Sequence, residues 1–374
     1  MTAIDPIALT RRLIQFNTIN PPGNEEDYIE YIANLLSKRG FETVIHPYGQ
    51  RRSNLIASKG TKSDFAGICF SGHVDTVPLG EQRWDHDPFK GEIVGDRLYG
   101  RGSSDMKAGI AAVVAACCEA AEYDWSNRGG LTIVLTCGEE TGCEGAAALA
   151  AAQLCKPQTL LVIAEPTANM PVIGHKGAAW YKATINGKAA HGSMPHEGIN
   201  AAIRAAEFVG KLEDIPLGDE HSHLGRSSLN VGMFHAGLNI NSVPDRAEIC
   251  LDCRLVPGAE ENVLRNHISD LLQDKDQLDT LLRLDAVWSN EDGRWIQAAI
   301  ESCRRQLGEQ VNWTVAPFFT DAAVFQPAMQ MPQTVILGPG HPEIAHKVDE
   351  WCSIVRIRDA VGIYRRILRS WLDQ

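Results

Sequence analysis

The stretch LTIVLTCGEETGCEG, residues 131–145, decides the architecture because it joins an apolar strand directly to two neighbouring carboxylates. Its first six residues, LTIVLT, form a short apolar and β-branched run that is typical of a buried strand. Glu139 and Glu140 follow this run, and adjacent residues leaving a strand point in different directions. One carboxylate can therefore face a metal ion while the other faces a substrate or a water molecule. Two glutamates at a strand end are more often only a solvated turn, so the rest of the chain decides between these interpretations.

The chain has 374 residues, of which 44% are hydrophobic and 22% charged, an ordinary globular composition with room for two domains. The net charge of −12 and the lack of a basic stripe argue against a nucleic-acid partner. No apolar run reaches the roughly 20 residues of a membrane helix. The N-terminus lacks the basic segment and apolar core of a secretion signal. We therefore expect a cytosolic protein with no membrane association.

Strands alternate with helices through the first half of the chain. Apolar periodicity predicts strands at 42–46, 54–58, 66–71, 131–137 and 159–164. It predicts helices at 5–16, 25–39, 107–122 and 144–153. The pattern returns after residue 290, with a helix at 292–306, a strand at 334–337 and a helix at 352–371. This alternation predicts an α/β fold with a mostly parallel sheet and helices on both faces.

The pattern changes between residues 178 and 287. Residues 178–186 alternate like a half-exposed strand. Further strands are predicted at 227–234, 246–254 and 279–287, and helices at 198–212 and 259–273. Two helices on a four-stranded antiparallel sheet form an α+β module of their own. We therefore expect a catalytic domain of residues 1–177 and 288–374, interrupted by an inserted domain of residues 178–287.

Five stretches share one design, in which an apolar strand is followed by a small residue and then by a side chain of the metal-ligand type. They are SGHVD at 71–75, GRGSSDMK at 100–107, GEE at 138–140, AEP at 164–166 and GPG at 338–340, which leads to His346. In open α/β sheets the carboxyl ends of the strands line the ligand crevice, so all five should converge there. The candidate ligands are His73, Asp105, Glu140, Glu165 and His346.

These five side chains fit a site for two metal ions. Histidine and carboxylate ligands without a thiolate suit Zn²⁺ or another divalent first-row ion such as Co²⁺ or Mn²⁺. One bridging carboxylate and two further ligands per ion require five residues, which is the number available. Asp75 stands two residues from His73, and its carboxylate can accept the free ring N–H of that histidine. Glu139 is left beside the metal ions, where it can take a proton from an attacking water.

The motifs SGHVDTVP, GRGSSDMKAG, GEETG, EP and AHKVDE resemble those of the M20-type zinc metallopeptidase and deacylase family, over nearly the whole chain. This family includes acetylornithine deacetylase, succinyl-diaminopimelate desuccinylase, aminoacylase and bacterial carboxypeptidases. The resemblance implies that His73 and Glu165 bind one zinc ion and that Glu140 and His346 bind the other. It also implies that Asp105 bridges the two ions.

The resemblance further implies that Asp75 supports the metal ligands and that Glu139 is the general base. The segment AHGS at 190–193 is similar to the segment of the family that carries the lid histidine. This similarity implies that His191 reaches the active site of a neighbouring subunit and stabilises the oxyanion of the tetrahedral intermediate. The inserted domain would then be a lid through which the protein forms a homodimer.

Two further segments are similar to those that hold the substrate carboxylate in the family. They are NSVP at 241–244 and DCR at 252–254, with Asn241 and Arg254 as the candidate side chains. The planar guanidinium group of Arg254 matches the geometry of a carboxylate. A structural salt bridge is the alternative role for this arginine.

Several positions favour one branch of the family. Glu165, where carboxypeptidases and dipeptidases have aspartate, is similar to the deacylases. GHKG at 174–177 and GPG at 338–340 are similar to acetylornithine deacetylases. Close desuccinylases tend to have Arg-Arg-Gly at the first of these stretches and Gly-Thr-Ser-Asp where this chain has FFTD at 318–321. Thr320 and Gly338 are accordingly candidate substrate contacts.

We therefore expect hydrolysis of an N-acyl group from an amino acid, with acetylornithine as the leading substrate. A succinyl-diaminopimelate desuccinylase and a dipeptidase or carboxypeptidase of the same family are the alternatives among enzymes. A non-catalytic binding relative is the alternative outside enzymes. Such a relative should have lost metal ligands or the general base. This chain keeps the five candidate ligands, together with Asp75 and Glu139.

Overall fold

A sheet of nine strands forms the centre of the first of two compact units in the computed structural model, which describes residues 3–60, 66–125 and 128–373. In spatial order, eight of the strands are Glu42–Gly49, Arg52–Lys59, Leu131–Thr136, Gly67–His73, Gln158–Ile163, Gln333–Ile336, Val172–His175 and Val287–Trp288. The ninth, Thr314–Ala316, pairs with Val172–His175. The four central strands, from Leu131–Thr136 to Gln333–Ile336, are parallel, and antiparallel pairs flank them.

The strand at 131–136 is buried on both faces, which explains its uninterrupted apolar run. Ile133 belongs to the large apolar core that helices build on one face of the sheet. Val134 points to the opposite face, where it lines a small cavity together with Leu149 and Met329. Helical segments therefore cover both faces of the sheet.

The helices of this unit are Pro6–Ile14, Glu26–Ser37, Ala108–Ala120, Glu144–Ala151, Arg294–Leu307, Ala322–Ala328 and Ile354–Leu372. Capping side chains set the start of the first and the last of them. Asp5 accepts from the amide of Ile7, and Ser353 accepts from the amide of Arg356. A small three-stranded sheet of Ile93–Val94, Arg97–Tyr99 and Trp351–Ser353 completes the unit.

The second compact unit comprises His175–Ala286 and the short segment Ala316–Phe319. Its antiparallel sheet has the strand order Ser228–Ala236, Arg246–Leu255, Gly177–Asn186 and Gln277–Leu284. Helices Ala201–Leu212 and Glu261–Asp270 share one apolar core with a single face of this sheet. A separate two-stranded ribbon pairs Ala190–His191 with Ser242–Val243.

The predicted fold class is confirmed, since a mostly parallel sheet lies between helices and a separate four-stranded antiparallel sheet carries two helices. The predicted domain limits of 178 and 287 and the roles of the two domains stay predictions. Short elements such as Val172–His175 and Ala322–Ala328 were not predicted because they are too short to show a hydrophobic period. Within the described residues, none of the helices combines the length and the apolar character that crossing a bilayer requires.

Candidate metal centre

The predicted metal ligands come from strand ends and from two loops of the first unit. His73 is the last residue of one parallel strand, Glu140 lies four residues beyond a second, and Glu165 lies two residues beyond a third. Because parallel strands point the same way, their carboxyl ends meet at one edge of the sheet. Asp105 comes from the turn before helix Ala108–Ala120, and His346 comes from the loop before the last helix, with a left-handed φ of 64°.

Asp105 lies between the two histidines. Its Oδ1 is 3.0 Å from Nε2 of His73, and its Oδ2 is 3.3 Å from Nε2 of His346. Oε2 of Glu165 is 3.7 Å from Nε2 of His73, and Oε1 of Glu140 is 3.1 Å from Nε2 of His346. Each histidine is thus accompanied by one oxygen of Asp105 and by one further carboxylate. The five predicted ligands therefore lie together, and their division between two metal ions stays a prediction.

This cluster concentrates negative charge away from water. Its five carboxylates are largely or fully buried: Asp75, Asp105, Glu139, Glu140 and Glu165. Among the residues that the structure describes, their ion pairs are with histidines, and no lysine or arginine pairs with them. Burying several carboxylates without cations is very unfavourable. The donor set therefore fits two divalent metal ions, which would supply the missing positive charge.

Burial and the neighbouring charges set the proton affinities in this cluster. Burial raises the pKa of Glu165 to about 7 and the pKa of Glu139 well above its usual value. Burial opposes protonation of His73, but the surrounding carboxylates, Glu165 first, outweigh it and raise the pKa of this histidine. Hydrogen bonds to two carboxylates raise the pKa of His346 to about 10. The carboxylates that favour protonation of these histidines are the same groups that would attract metal ions.

Asp75 organises the turn that carries the two glutamates. Its backbone carbonyl is 3.0 Å from Nδ1 of His73, whereas its carboxylate Oδ1 is 3.5 Å from this nitrogen. The carboxylate accepts from the backbone amides of Glu139 and Glu140, at 3.2 and 3.3 Å. The carbonyl and the carboxylate of Asp75 thus both lie near this ring nitrogen, and acceptance of its N–H by the carboxylate stays a prediction. A proton on Nδ1 still leaves the lone pair of Nε2 for a metal ion.

Asn20 supports the same turn and was not singled out from the sequence. Its side chain is buried, and Nδ2 donates to Oδ2 of Asp75 and to Oγ1 of Thr141, both at 3.0 Å. Asn20-Pro-Pro-Gly is a turn sequence, which by itself accounts for an asparagine there. No local signal indicated that this amide reaches the metal centre.

Asp321 is a second residue that the sequence analysis did not single out. It is fully buried, and it accepts a hydrogen bond from Oγ1 of Thr136, at the end of the strand that leads to the glutamates. Burial raises the pKa of Asp321 to about 6. The FFTD sequence at 318–321 indicated Thr320 as a candidate, and the contact of Asp321 with Thr136 joins segments 185 residues apart.

Two of the four predicted substrate contacts, Thr320 and Gly338, belong to the first unit. Both residues are buried. Oγ1 of Thr320 accepts from the amide of Ala322 at 3.1 Å, at the start of a helix. Gly338 packs so tightly that a Cβ atom would lie 2.3 Å from the carbonyl oxygen of Ala164 and 2.5 Å from that of Glu165. Glycine at 338 therefore permits the close packing beside Glu165, and the contact of either residue with substrate stays a prediction.

His191 and Asn241 are brought together by the two-stranded ribbon of the second unit. The amide of Gly192 donates to the carbonyl of Asn241 at 2.8 Å. Nδ1 of His191 accepts from the amide of Ser193 at 3.2 Å and lies 2.7 Å from Oγ of the same serine. In the tautomer whose Nδ1 accepts from this amide, the proton is on Nε2, which the exposed ring can then present as a donor.

Arg254 is paired within the second unit. Its Nε is 2.9 Å from Oδ1 of Asp252, and its guanidinium group lies 5.3 Å from the centre of the Phe319 ring. Asp252 also accepts from Nε1 of Trp180 at 2.9 Å. The salt bridge that the sequence left open as an alternative is therefore present. The Arg254 side chain keeps 26% of its surface exposed, and its contact with substrate stays a prediction.

Two histidines among buried carboxylates beside the carboxyl edge of a parallel sheet are an arrangement that suits a metal-dependent hydrolase. The model of peptidase family M20/M25/M40 matches residues 69–370. The chain belongs to this family, which confirms the resemblance that the motifs indicated, and it is a metal-dependent hydrolase of amide bonds.

Relatives of known name cover almost the full chain. Acetylornithine deacetylase from Vibrio cholerae is 31% identical over 93% of this chain and 92% of its own. A probable succinyl-diaminopimelate desuccinylase from Staphylococcus epidermidis is 28% identical over 99% of this chain and 98% of its own.

Solved structures share the fold at low identity. A metallo-carboxypeptidase of the family from Sulfolobus solfataricus has a TM-score of 0.81 at 18% identity, covering 99% of this chain and 100% of its own. A dinuclear metal-binding peptidase from Bacillus subtilis has a TM-score of 0.72 at 16% identity, covering 99% of this chain and 98% of its own.

Proposed function

We propose that the protein removes an N-acyl group from an amino acid, with acetylornithine as the leading substrate. The observation that carries the proposal is the pair of ligand sets that meet at Asp105, in a chain similar along its length to an acetylornithine deacetylase. Glu165 and the GHKG stretch at 174–177 favour the same branch of the family. The cytosolic location expected from the sequence is part of this proposal.

Two divalent ions complete the proposed site. His73, Glu165 and Asp105 would hold one ion, and Glu140, His346 and Asp105 would hold the other. Zn²⁺ is the first candidate, with Co²⁺ or Mn²⁺ as alternatives. When bound, the ions would polarise the amide carbonyl and favour ionisation of the attacking water.

Glu139 is the proposed general base. A carboxylate oxygen of Glu139 lies within 4.8 Å of ligand atoms of His73 and Glu165, so Glu139 stands beside the proposed ions. The proposal makes it the base because the other five residues suffice to hold two ions. A carboxylate oxygen of Glu139 would take a proton from the attacking water and deliver it to the nitrogen of the leaving amine. Burial raises the pKa of Glu139, and bound cations would oppose this shift, so that the group can both accept and release the proton.

The second unit would supply the groups that bind the rest of the substrate. The Nε2–H of His191 would donate to the developing oxyanion, and the guanidinium of Arg254, with Asn241, would bind the substrate carboxylate. We propose that His191 acts in the site of a partner subunit in a homodimer. In support of a dimer, strand Ser228–Ala236 lies at a sheet edge, and four large apolar side chains in and after it are exposed, namely Met233, Phe234, Leu238 and Ile240.

Removal of a succinyl group is the second candidate, because a probable desuccinylase is similar over nearly the full chain. A succinyl group adds a carboxylate that needs a cationic partner. Where close desuccinylases tend to have two arginines, this chain has His175 and Lys176. His175 is buried and its pKa is lowered to about 4 by burial, so this ring is neutral, and Nζ of Lys176 donates to the backbone carbonyl of Arg226. His175 therefore offers no positive charge to a succinyl carboxylate, whereas Lys176 keeps its charge.

A substrate panel tests the proposal. The zinc-loaded protein is incubated with acetylornithine, other N-acetyl amino acids, succinyl-diaminopimelate and dipeptides, and amine release is measured, with Glu139→Ala as the blank. We expect the highest kcat/KM for an N-acetyl amino acid, with acetylornithine first. Faster hydrolysis of dipeptides or of the succinyl compound would contradict the substrate assignment. Two bound ions with no turnover of any amide would indicate a binding protein.

A further inference from the structure

The carboxylate of Glu350 gathers four donors from the loop that carries the bridging aspartate. Glu350 is fully buried. Its Oε2 accepts from Nη1 of Arg101 at 2.7 Å and from the amide of Gly102 at 2.9 Å. Its Oε1 accepts from the amide of Ser104 at 2.7 Å and from the amide of Asp105 at 3.0 Å. One side chain thus fixes the backbone of the bridging ligand itself.

Arg101 extends this connection to the loop of the second histidine. Its guanidinium is buried, and Nη1 also donates to the carbonyl of Lys347, the neighbour of His346, at 3.2 Å. Nη2 donates to the carbonyl of Pro78 at 3.0 Å, and the group lies 5.0 Å from the centre of the Trp84 ring. The loop that carries Asp105 and the loop that carries His346 are therefore joined by a buried ion pair.

We propose that Glu350 is a positioning residue for the metal centre, holding Asp105 and His346 at the spacing that two divalent ions require. In the structure Oδ2 of Asp105 is 3.3 Å from Nε2 of His346. The carboxylate of Glu350 accepts a hydrogen bond from the amide of Asp105, and Glu350 lies four residues after His346 in the chain. Ligands that are held in place before binding lose less conformational freedom when an ion binds. The inference rests on the proposed two-metal site and concerns how tightly that site binds.

Glu350→Gln is the informative change because it keeps the shape of the side chain. The new amide replaces one acceptor oxygen by an NH₂ group, so two of the four donors lose their acceptor and Arg101 loses its counter-ion. The two loops should then separate or loosen. Loss of a partner that orients metal ligands lowers metal affinity by roughly 10–100-fold. The number of ions bound at saturating zinc should stay at two, because no ligand is removed.

The experiment titrates Zn²⁺ into metal-free protein in competition with a chromogenic chelator. Two matched variants serve as controls. Glu343→Gln changes an exposed carboxylate on the same segment, and Glu261→Gln changes a buried carboxylate of the second unit that accepts from the Tyr181 hydroxyl. We expect Glu350→Gln to bind zinc at least roughly 10-fold more weakly than wild type, and both controls to stay within about threefold. An affinity for Glu350→Gln within threefold of wild type would overturn the proposal.

If Glu350→Gln does not fold, Arg101→Lys tests the proposed positioning role instead. The lysine keeps a positive charge beside Glu350 but cannot reproduce the guanidinium bonds to Lys347 and Pro78. A zinc affinity several-fold below wild type supports the proposal, and an unchanged affinity overturns it. The titration of the wild-type protein separates the hypothesis of a two-metal site from the hypothesis that Glu350 positions its ligands. No zinc binding by wild type contradicts the two-metal site, whereas tight wild-type binding with unchanged variants contradicts only the role of Glu350.

Discussion

Replacing Asn20 by alanine removes a buried amide that supports the glutamate turn. In the wild type Nδ2 donates to Oδ2 of Asp75 and to Oγ1 of Thr141, both at 3.0 Å. A hydrogen bond to a charged acceptor contributes about 1.5–3 kcal/mol and a neutral one about 1 kcal/mol, so the free energy of unfolding should fall by about 2.5–4 kcal/mol. Asp75 also accepts from the amides of Glu139 and Glu140. Zinc affinity should therefore fall as well, by roughly 10-fold or more.

The stability change is measured by urea unfolding of chelator-treated protein, followed by tryptophan fluorescence, so that metal binding does not contribute. Asn24→Ala is the matched control, because Nδ2 of Asn24 makes one exposed hydrogen bond, to the carbonyl of Asn17 at 3.2 Å. It should change the free energy of unfolding by no more than about 0.5 kcal/mol. If Asn20→Ala costs less than about 1 kcal/mol and leaves zinc affinity unchanged, the supporting role of Asn20 is refuted.

Removal of the metal ions should abolish amide hydrolysis and lower the melting temperature, and both should return when about two equivalents of zinc are added; full activity of metal-free protein would contradict the two-metal site. Glu139→Ala should keep both ions and lose roughly 10²–10⁴-fold in kcat; loss of an ion would mean that Glu139 and Glu140 have exchanged roles. Arg254→Ala should weaken hydrolysis of amino-acid substrates by about 1.5–3 kcal/mol more than hydrolysis of their amides; equal losses would leave Arg254 only its salt bridge with Asp252. Glu139→Ala and His191→Ala, each nearly inactive, should regain roughly a quarter of wild-type activity when refolded together, because half of the dimers would then hold one intact shared site; mixed dimers without activity would show that His191 acts within its own chain.

The clustering of the candidate ligands could be predicted from the sequence because it depends on local pattern and on one rule of sheet geometry. His73, Glu140 and Glu165 follow apolar runs, and parallel strands place the residues that follow them at one edge. The fold class was predictable for the same reason, since buried strands and amphipathic helices show their periods locally. Short elements such as Val172–His175 carry no such period, and the sequence did not indicate them.

Only the tertiary structure shows which segments that lie far apart in the chain contact one another. Asn20 reaches Asp75 across 55 residues, and Glu350 reaches the amide of Asp105 across 245. Both are polar residues in loops, where the neighbouring residues in the sequence do not predict the distant partner of a side chain. The salt bridge of Arg254 likewise appears only when the fold is known. Hydrophobic pattern is set along the chain, whereas the satisfaction of a buried polar group depends on which distant segment packs against it.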